Sequence, residues 1–192
     1  MIINELKIGC VVMAAGLSSR FGGNKLLQGY HDKTLAERAL DAVPAGKLDK
    51  VVVVTRFPEV QAIAEVRGFT VVWNDRPEEG ISLTIRLGLG SLYGMDAVLF
   101  MVCDQPGLTS GSVSSMIDYY CENPEHIVGM AFGGVRGNPC IFPSKYCREL
   151  MALTGDTGGS AVIRRYEKDV KLFEAADRSE LKDVDFAIDL DG

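Results

Sequence analysis

Short apolar runs alternate with amphipathic stretches along most of the chain. A run rich in β-branched residues predicts a strand buried on both faces, and the four valines at 51–54 are the clearest case. Apolar positions that recur with the 3.6-residue period predict helices instead. The predicted strands are 7–13, 51–54, 70–73, 97–102, 127–131, 140–142 and 170–173. The predicted helices are 34–43, 58–67, 81–92, 110–121, 145–153 and 160–166.

Polar residues and prolines indicate where several of these elements begin or end. Thr34 and Glu37 have the spacing of a capping box, and Pro58 suits the first turn of a helix. Ser110 is the expected N-cap of the helix that follows it. The stretch FGGVRGNP, residues 132–139, is rich in turn residues, so we expect it to separate two strands.

Strands and helices that alternate at this spacing predict right-handed βαβ units. The expected fold class is therefore α/β: a three-layer α/β/α, Rossmann-like fold with a mostly parallel central sheet. Ligands of such sheets bind outside the carboxyl ends of the strands. We expect the functional residues in the loops that begin at Met13, Thr55, Asn74 and Cys103.

Composition narrows the possible partners. The net charge of −6 argues against a surface that binds nucleic acid, which needs a dense field of Lys and Arg. No apolar run approaches the roughly 20 residues that span a bilayer, so we expect no membrane partner. The five cysteines are odd in number and lack CxxC spacing, which is typical of reduced thiols in a cytoplasmic protein.

The first predicted strand leads into the loop MAAGLSSRFGGNK, residues 13–25. Main-chain N–H groups of a glycine-rich loop can converge on phosphate oxygens, and Arg20 and Lys25 supply the cations that a polyphosphate requires. The dinucleotide fingerprint GxGxxG is absent here, because Leu17 and Ser18 follow Gly16. The GxxxxGK[ST] pattern fails too, since Leu26 follows Lys25. The loop therefore predicts a phosphate site of another kind.

The pattern that remains, AAGxSxRxGxxK, resembles the signature loop of nucleotidyltransferases, which move a nucleoside monophosphate onto a phosphate or a sugar phosphate. The matching residues are Ala14, Ala15, Gly16, Ser18, Arg20, Gly22 and Lys25. The resemblance implies that the loop wraps a triphosphate and that Arg20 neutralises the leaving pyrophosphate. It also implies that Lys25 stabilises charge at the transferring phosphate. We expect a single nucleotidyltransferase domain over residues 1–192.

A reaction of this type needs a cation, usually Mg²⁺, on carboxylate oxygens. In VLFMVCDQPGL, Asp104 follows a predicted strand, and the resemblance assigns it to Mg²⁺. FAIDLDG near the end of the chain resembles the family's DIDTP element, with Asp189 and Asp191 in the places of its two acids. The resemblance makes Asp191 the better candidate for a second metal ligand, and an acidic tail that binds no metal stays open as the alternative. Gly192 stands in the place of the Thr, and the sequence stops where relatives have a proline and a final helix. Two explanations stay open: a truncated sequence, or a protein without that helix.

Two further segments fit the nucleotide site of the family. Asn74 and Asp75 end the third predicted strand, where relatives contact the nucleotide. PEEGISLTIRLGL resembles the segment in which Gly80 and Ser82 open a helix beside the base or the phosphates. The resemblance thus adds Asn74, Gly80 and Ser82 to the predicted nucleotide-binding residues.

Two motifs point to the branch of the family that acts on the molybdenum cofactor. RGNPCIFP resembles its RGxPxxF element and contributes Arg136 and Asn138. GDTGGSA resembles its GDxGAxA element and contributes Asp156, Gly158 and Gly159. We expect these residues on the acceptor side, with Asp156 or Thr157 capping the next helix.

The resemblance favours transfer of CMP from CTP to molybdopterin-bound molybdenum, whose product would serve a molybdenum hydroxylase. Three alternatives stay open: transfer of GMP from GTP to the same cofactor, nucleotidyl transfer to a sugar phosphate, and a non-catalytic carrier of cofactor or nucleotide. An acceptor phosphate is already a nucleophile at neutral pH, so no general base is expected. The sequence contains only two histidines, neither of them in a motif.

Overall fold

The structure, a computed structural model, describes residues 6–16 and 24–185 of the chain. The predictions for Ser18, Arg20, Gly22, Asp189 and Asp191 lie outside the described residues. The strands are Ile8–Ala14 (β1), Gly29–Tyr30 (β2), Lys33–Thr34 (β3), Lys50–Thr55 (β4), Thr70–Trp73 (β5), Ala97–Val102 (β6), Ile127–Phe132 (β7), Val135–Pro143 (β8) and Val170–Glu174 (β9). The α-helices are Leu35–Asp41 (α1), Pro58–Val66 (α2), Ile81–Gly90 (α3), Ser110–Cys121 (α4), Cys147–Met151 (α5) and Ser160–Arg165 (α6).

Seven of the strands form one sheet in the order β5-β4-β1-β6-β8-β7-β9. The β5, β4, β1 and β6 strands run parallel to one another, and β9 runs parallel to β7. The β8 strand is antiparallel to both of its neighbours, β6 and β7. The β2 and β3 strands form a separate antiparallel hairpin. The prediction of a mostly parallel sheet is confirmed.

Helices cover both faces of the sheet. Successive β1 residues alternate between two apolar clusters, as the two-residue period of a strand requires. Val12 belongs to a cluster that includes buried residues of α1, α2 and α4. Val11 belongs to a second cluster, with buried residues of α3, α5 and α6. The predicted three-layer α/β/α arrangement is therefore confirmed. Within the described part of the chain, no helix combines the length and hydropathy needed to cross a bilayer.

The ends of two helices test the capping predictions. The capping box of Thr34 and Glu37 is confirmed, because each side chain bonds the other residue's main-chain N–H. Ser110 is not an N-cap. Thr109 has that position, and its hydroxyl accepts from the N–H of Ser112 at 3.1 Å. Threonine can replace serine here, since either hydroxyl can accept that bond while the residue stays extended.

The stretch 132–139 is not a long turn. Only Gly133 and Gly134 form the connection, both with positive φ, and β8 begins at Val135. Both glycine N–H groups donate to the carboxylate of Glu174, at 2.8 and 3.0 Å. The pair supplies the tight hairpin turn that two antiparallel strands need, so the rest of the motif is free to extend β8.

The helix predicted over 145–153 is shorter than expected. A 3₁₀ turn, Ser144–Tyr146, comes first, and α5 covers Cys147–Met151.

The carboxyl ends of the parallel strands meet as expected. The Thr55 hydroxyl donates to the Ala14 carbonyl at 3.0 Å, and the Asn74 N–H donates to the Thr55 carbonyl at 2.8 Å. These bonds join the ends of β1, β4 and β5 into one edge.

Candidate active site

A cavity of about 370 Å³ lies at this edge, where β1 and β6 end beside the start of α3. Its wall includes seven residues that the sequence predicted for the site: Ala14, Ala15, Gly16, Lys25, Gly80, Asp104 and Asp156. Its remaining lining residues are Met13, Leu26, Pro77, Ile81, Thr84, Val102 and Cys103. The fold therefore brings the end of the glycine-rich loop, the acidic end of β6 and a helix N-terminus to a single cavity.

Lys25 and Asp104 form an ion pair in this cavity. Lys25 opens a 3₁₀ turn in which the Asn24 side chain accepts from the N–H of Leu26, and Leu26 is buried. The Lys25 Nζ donates to Asp104 Oδ2 at 2.8 Å and to the Val184 carbonyl at 3.0 Å. Both charged side chains are mostly buried, with 15% and 25% of their area exposed. Partial burial weakens solvent screening, so the pair is stronger than one on the surface.

The segment 182–185 closes over the end of β6, although the motifs did not place it in the site. The Val184 N–H donates to the Asp104 carbonyl at 2.8 Å, and the Gln105 side chain donates to Asp183 Oδ1 at 2.9 Å. Asp185 Oδ1 lies 3.9 Å from the Lys25 Nζ. Desolvation, and then the charge of Asp104, raise the pKa of Asp183. The acidic pattern DVD was the available signal, but the resemblance pointed to Asp189 and Asp191.

The residues around the Lys25 ammonium can be tested against the expected metal. Asp104 supplies a carboxylate, Val184 a carbonyl oxygen, and Asp185 a second carboxylate at ion-pair distance. Oxygen donors suit Mg²⁺, which is often held by one or two carboxylates together with substrate phosphates. No group of three or more His, Cys, Asp or Glu side chains suited to a metal occurs among residues 6–16 and 24–185. The donor set fits a metal that Asp104 shares with a bound triphosphate.

The start of α3 depends on Gly80. Its φ of +86° is a conformation that side-chain-bearing residues rarely adopt. A Cβ at this position would lie 2.4 Å from the carbonyl carbon of Gly155. The close approach lets the Ser82 N–H donate to the Gly155 carbonyl at 3.2 Å. This contact sets the turn that contains Asp156 against the mouth of the cavity.

Two predicted nucleotide-binding residues do not line the cavity. Ser82 is fully buried, and its Oγ accepts from Arg86 Nη1 at 3.3 Å. Asn74 is also fully buried, and its side chain donates to Thr84 Oγ1 at 3.1 Å. Thr84, the partner of Asn74 in this bond, lines the cavity, although no motif singled Thr84 out. Helical spacing was the only available signal, because residue 84 follows Gly80 by one turn.

A second cavity of about 110 Å³ adjoins the first, and the two share Met13, Ile81 and Val102. Four residues predicted for the acceptor line it: Arg136, Asn138, Gly158 and Gly159. The Arg136 guanidinium donates to two neutral partners, Ser160 Oγ at 3.3 Å and Cys140 Sγ at 3.6 Å. A cation with neutral partners is well placed to receive an anionic ligand.

The capping role predicted for Asp156 or Thr157 is wrong. Gly159 has the N-cap position of α6 and no side chain caps that helix. The Thr157 N–H donates to the Thr154 carbonyl at 3.3 Å, which closes a separate turn before the helix begins. Asp156 consequently lines the first cavity instead of the second.

A family profile described as the MobA-like NTP transferase domain matches residues 10–170. Among curated proteins, the chain is 28% identical to nicotine blue oxidoreductase of Paenarthrobacter nicotinovorans, over 91% of this chain and 90% of that protein. It is 25% identical to purine catabolism protein PucB of Bacillus subtilis (strain 168), with the same coverage of both chains. These likenesses extend over nearly the whole of both chains.

Solved structures share the fold. Rv0371c of Mycobacterium tuberculosis H37Rv superposes with a TM-score of 0.81 and 24% identity, over 97% of this chain and 96% of that one. Its complex with manganese gives a TM-score of 0.74 and 23% identity, over 88% of each chain. CMP:2-keto-3-deoxy-manno-octonic acid synthetase complexed with CTP gives 0.74 and 13%, over 96% of this chain and 95% of that one.

Proposed function

The chain belongs to the MobA-like NTP transferase family, and from this premise we propose that it transfers CMP from CTP to the molybdenum cofactor and releases pyrophosphate. One observation carries the proposal. Two adjoining cavities lie at the carboxyl edge of the sheet, the first with Lys25 and Asp104 and the second with Arg136. A nucleotidyl transfer needs this arrangement, because donor and acceptor must meet at one phosphorus atom.

In this proposal the first cavity binds the nucleoside triphosphate. The phosphates would take N–H groups from the main chain of residues 14–16 and from Ile81, which lie in the cavity wall, because the N–H groups of Ser82 and its neighbours at the start of α3 already bond carbonyls. Lys25 then exchanges its bond to Asp104 for one to a phosphate oxygen, which places positive charge where the transition state gains negative charge. Arg20, outside the described residues, stays the candidate for the leaving pyrophosphate.

Asp104 is the proposed protein ligand for a divalent cation. Mg²⁺ is the expected ion, and the manganese complex of Rv0371c supports a divalent metal in this fold. When bound, the ion would supply charge neutralisation of the triphosphate. Asp104, two residues beyond the end of β6, would hold that cation beside the phosphates. Asp191 stays a prediction as a further ligand.

The second cavity is the proposed site of the acceptor's phosphate. Arg136 binds and orients the anion, and Asn138 offers an amide from the same strand. Gly158 and Gly159 leave this wall without side chains, and a Cβ on Gly159 would lie 3.1 Å from the Phe142 ring. No side chain of the chain is required to remove a proton, because the acceptor phosphate is ionised at neutral pH.

The proposed nucleotide and the proposed acceptor are chosen from the sequence motifs. EEGISLTIRLGL, CDQP, RGNP and GDTGGSA favour CTP over GTP and the molybdenum cofactor over a sugar phosphate. The synthetase that shares this fold is complexed with CTP, which supports a cavity of this type for that nucleotide. A molybdenum hydroxylase is the proposed recipient of the product. The single-domain organisation of residues 1–192 is part of the same proposal.

Calorimetric titration with the magnesium complexes of CTP, GTP, ATP and UTP tests the nucleotide and the role of Asp104. We expect tight binding of CTP to the wild-type protein and at least tenfold weaker binding to Asp104→Asn. Asp118→Asn is the matched control, because that carboxylate pairs with Lys47 on an exposed part of α4. A preference for GTP would move the protein to guanylyl transfer. Equal CTP affinity in wild type and Asp104→Asn would remove the metal assignment.

A further inference from the structure

Thr84 occupies an unusual position in the wall of the nucleotide cavity. It lies on α3, one turn after Gly80, and only 6% of its area is exposed. Its hydroxyl accepts a hydrogen bond from Asn74 Nδ2 at 3.1 Å. A buried hydroxyl beside a ligand cavity can discriminate between ligands, because its donor and acceptor sides face different partners.

The direction of that bond is determined by the neighbouring main chain. Asparagine oxygen and nitrogen are often hard to tell apart, so an amide is oriented from its partners. The Arg76 N–H can only donate, and it contacts Asn74 Oδ1 at 3.0 Å. Nδ2 of Asn74 must therefore face Thr84, and it can only donate. The Asn74 N–H is itself bonded to the Thr55 carbonyl, which anchors the residue at the end of β5.

The hydroxyl proton of Thr84 is left for another partner. A hydroxyl has one proton to donate, and the oxygen of Thr84 already accepts from Asn74. Nothing in the described part of the chain accepts that proton. Ser91 bonds the carbonyl four residues back in the same helix, but Thr84 makes no such bond. The Thr55 hydroxyl, by contrast, both accepts from the Phe57 N–H and donates to the Ala14 carbonyl.

We propose that Thr84 is a specificity-determining residue whose hydroxyl donates to an acceptor atom of the bound nucleotide, and that Asn74 is a positioning residue that sets this polarity. The proposal rests on the proposed nucleotide site and names one more contact within it. The acceptor is a carbonyl oxygen or ring nitrogen of the base, or an oxygen of the ribose. A nucleotide with an N–H group at that point binds less well, because that N–H could use only the second lone pair of Thr84 Oγ1 and would leave the buried hydroxyl proton without an acceptor.

Three substitutions test the proposal by calorimetry with Mg·CTP. Thr84→Ser keeps the hydroxyl, and we expect its affinity within about twofold of wild type. Thr84→Val keeps the shape but removes the donor, and we expect about tenfold weaker binding. Asn74→Asp keeps the Arg76 contact but offers Thr84 an acceptor, so the Thr84 proton turns away from the nucleotide. We expect that variant to lose as much affinity as Thr84→Val.

Nucleotide analogues identify the acceptor atom. If the partner is a ribose oxygen, 2′-deoxy-CTP or 3′-deoxy-CTP binds Thr84→Val and wild type equally. If the partner is the base carbonyl, 2-thio-CTP reduces the difference between the two proteins, because sulfur is a weaker acceptor. Thermal unfolding of each variant shows whether the fold is retained. Should Asn74→Asp fail to fold, the comparison of Thr84→Val with Thr84→Ser decides the question.

The outcomes separate this inference from the proposed function. Binding of CTP to wild type with equal affinity in Thr84→Val overturns the role of Thr84 alone. Equal weakening in Thr84→Ser and Thr84→Val also overturns it, because a variant that keeps the hydroxyl would then lose as much affinity as one that lacks it. Absence of binding by every nucleotide to wild type would overturn the nucleotide site together with this contact.

Discussion

The ammonium of Lys25 has several oxygen partners where the proposed function needs it to meet a triphosphate. Its Nζ donates to Asp104 Oδ2 and to the Val184 carbonyl, and Asp185 lies at 3.9 Å. In the ion pair the two opposite charges compensate each other, and both side chains are largely shielded from solvent. Lys25 therefore competes with any cation that approaches Asp104. Once phosphates are bound, both the ammonium and the cation are attracted to the same phosphate oxygens, so the two no longer compete.

Lys25→Met tests this competition. Without nucleotide, we expect Mn²⁺ to bind the variant several-fold more tightly, because the ammonium no longer neutralises Asp104. With CTP present, we expect weaker binding of the nucleotide, since a phosphate contact is lost. Electron paramagnetic resonance titration of free Mn²⁺ measures the first effect. Lys33→Met, which breaks an exposed pair with Asp41, is the control. Unchanged Mn²⁺ affinity in Lys25→Met would contradict the competition.

Residue types and spacing were enough to predict that Lys25 and Asp104 share a site, because each ends a segment that leads to the same edge of the sheet. Their direct contact could not be predicted, since it depends on how two segments 79 residues apart meet. Asn74 and Ser82 show that the direction of a side chain could not be predicted either. Both residues lie in the chain next to residues of the cavity wall or bond one of them, but their own side chains are fully buried and do not line the cavity.

At the scale of elements, the strands of the parallel half were predictable from β-branched runs that end in glycine or polar residues. The 97–102 and 70–73 strands agree with the structure at both ends. The β8 strand was predicted to be three residues long but has nine, because turn-forming residues can also lie in an extended strand next to a hairpin. The antiparallel direction of β8 could not be predicted, because hydrophobic periodicity indicates a strand but not the direction in which it pairs with its neighbours.

Gly80→Ala tests the close contact at the start of α3. The added Cβ would face backbone atoms of Gly155 and Asp156, and the residue would keep an unfavourable positive φ. We expect a loss of about 2–4 kcal/mol in the free energy of unfolding, together with weaker nucleotide binding. Gly90→Ala is the matched control at the other end of the helix, where a Cβ meets nothing within 4 Å. Chemical denaturation of both variants measures the difference; equal stability would refute the contact.

Thr34→Ala tests the capping box of α1 and its dependence on pH. We expect a loss of about 1 kcal/mol near pH 7, as for other N-caps. The Thr34 main-chain N–H, which alanine keeps, and then the Thr34 hydroxyl, which alanine lacks, donate to Glu37 and hold its pKa below the ordinary value, so the variant loses the hydroxyl's part of this effect. A lowered pKa in the folded state stabilises above the pKa of the unfolded chain and is lost as pH falls through the folded value. The difference from wild type should therefore shrink in acid. A difference that grows between pH 5 and pH 3 would oppose this account.

At the scale of the whole molecule, one edge of the sheet serves both proposed ligands. The parallel strands β1 and β6 end at the first cavity, and β8, α5 and α6 supply walls of the second. Ile81 lines both cavities, at the point where α3 begins. The alternation of elements predicted this edge as the site. The resemblance also predicted separate nucleotide and acceptor sides, but the placement of Asp156 in the first cavity could not be predicted, because it follows from the turn at 154–157.

The segment 182–185 shows why the acidic end of the chain was difficult to interpret. The resemblance to the family placed the second acidic element at 186–192, beyond the described residues. Asp185 nevertheless lies 3.9 Å from the Lys25 ammonium, and Asp183 accepts from Gln105, because the Val184 N–H holds this segment against the Asp104 carbonyl. Such long-range main-chain contacts have no signature in local spacing. The neighbouring acids therefore deserve separate substitution when metal binding is measured.

Pyrophosphate release is the measurement that tests the central claim most directly. Purified protein is mixed with Mg²⁺, CTP and molybdenum cofactor, and the reaction is repeated without cofactor, with GTP, and with Asp104→Asn in place of wild type. We predict release that requires both CTP and the cofactor and that falls at least a hundredfold in the variant. If wild type binds CTP and cofactor but releases no pyrophosphate, the protein is a carrier and the proposed transfer is wrong.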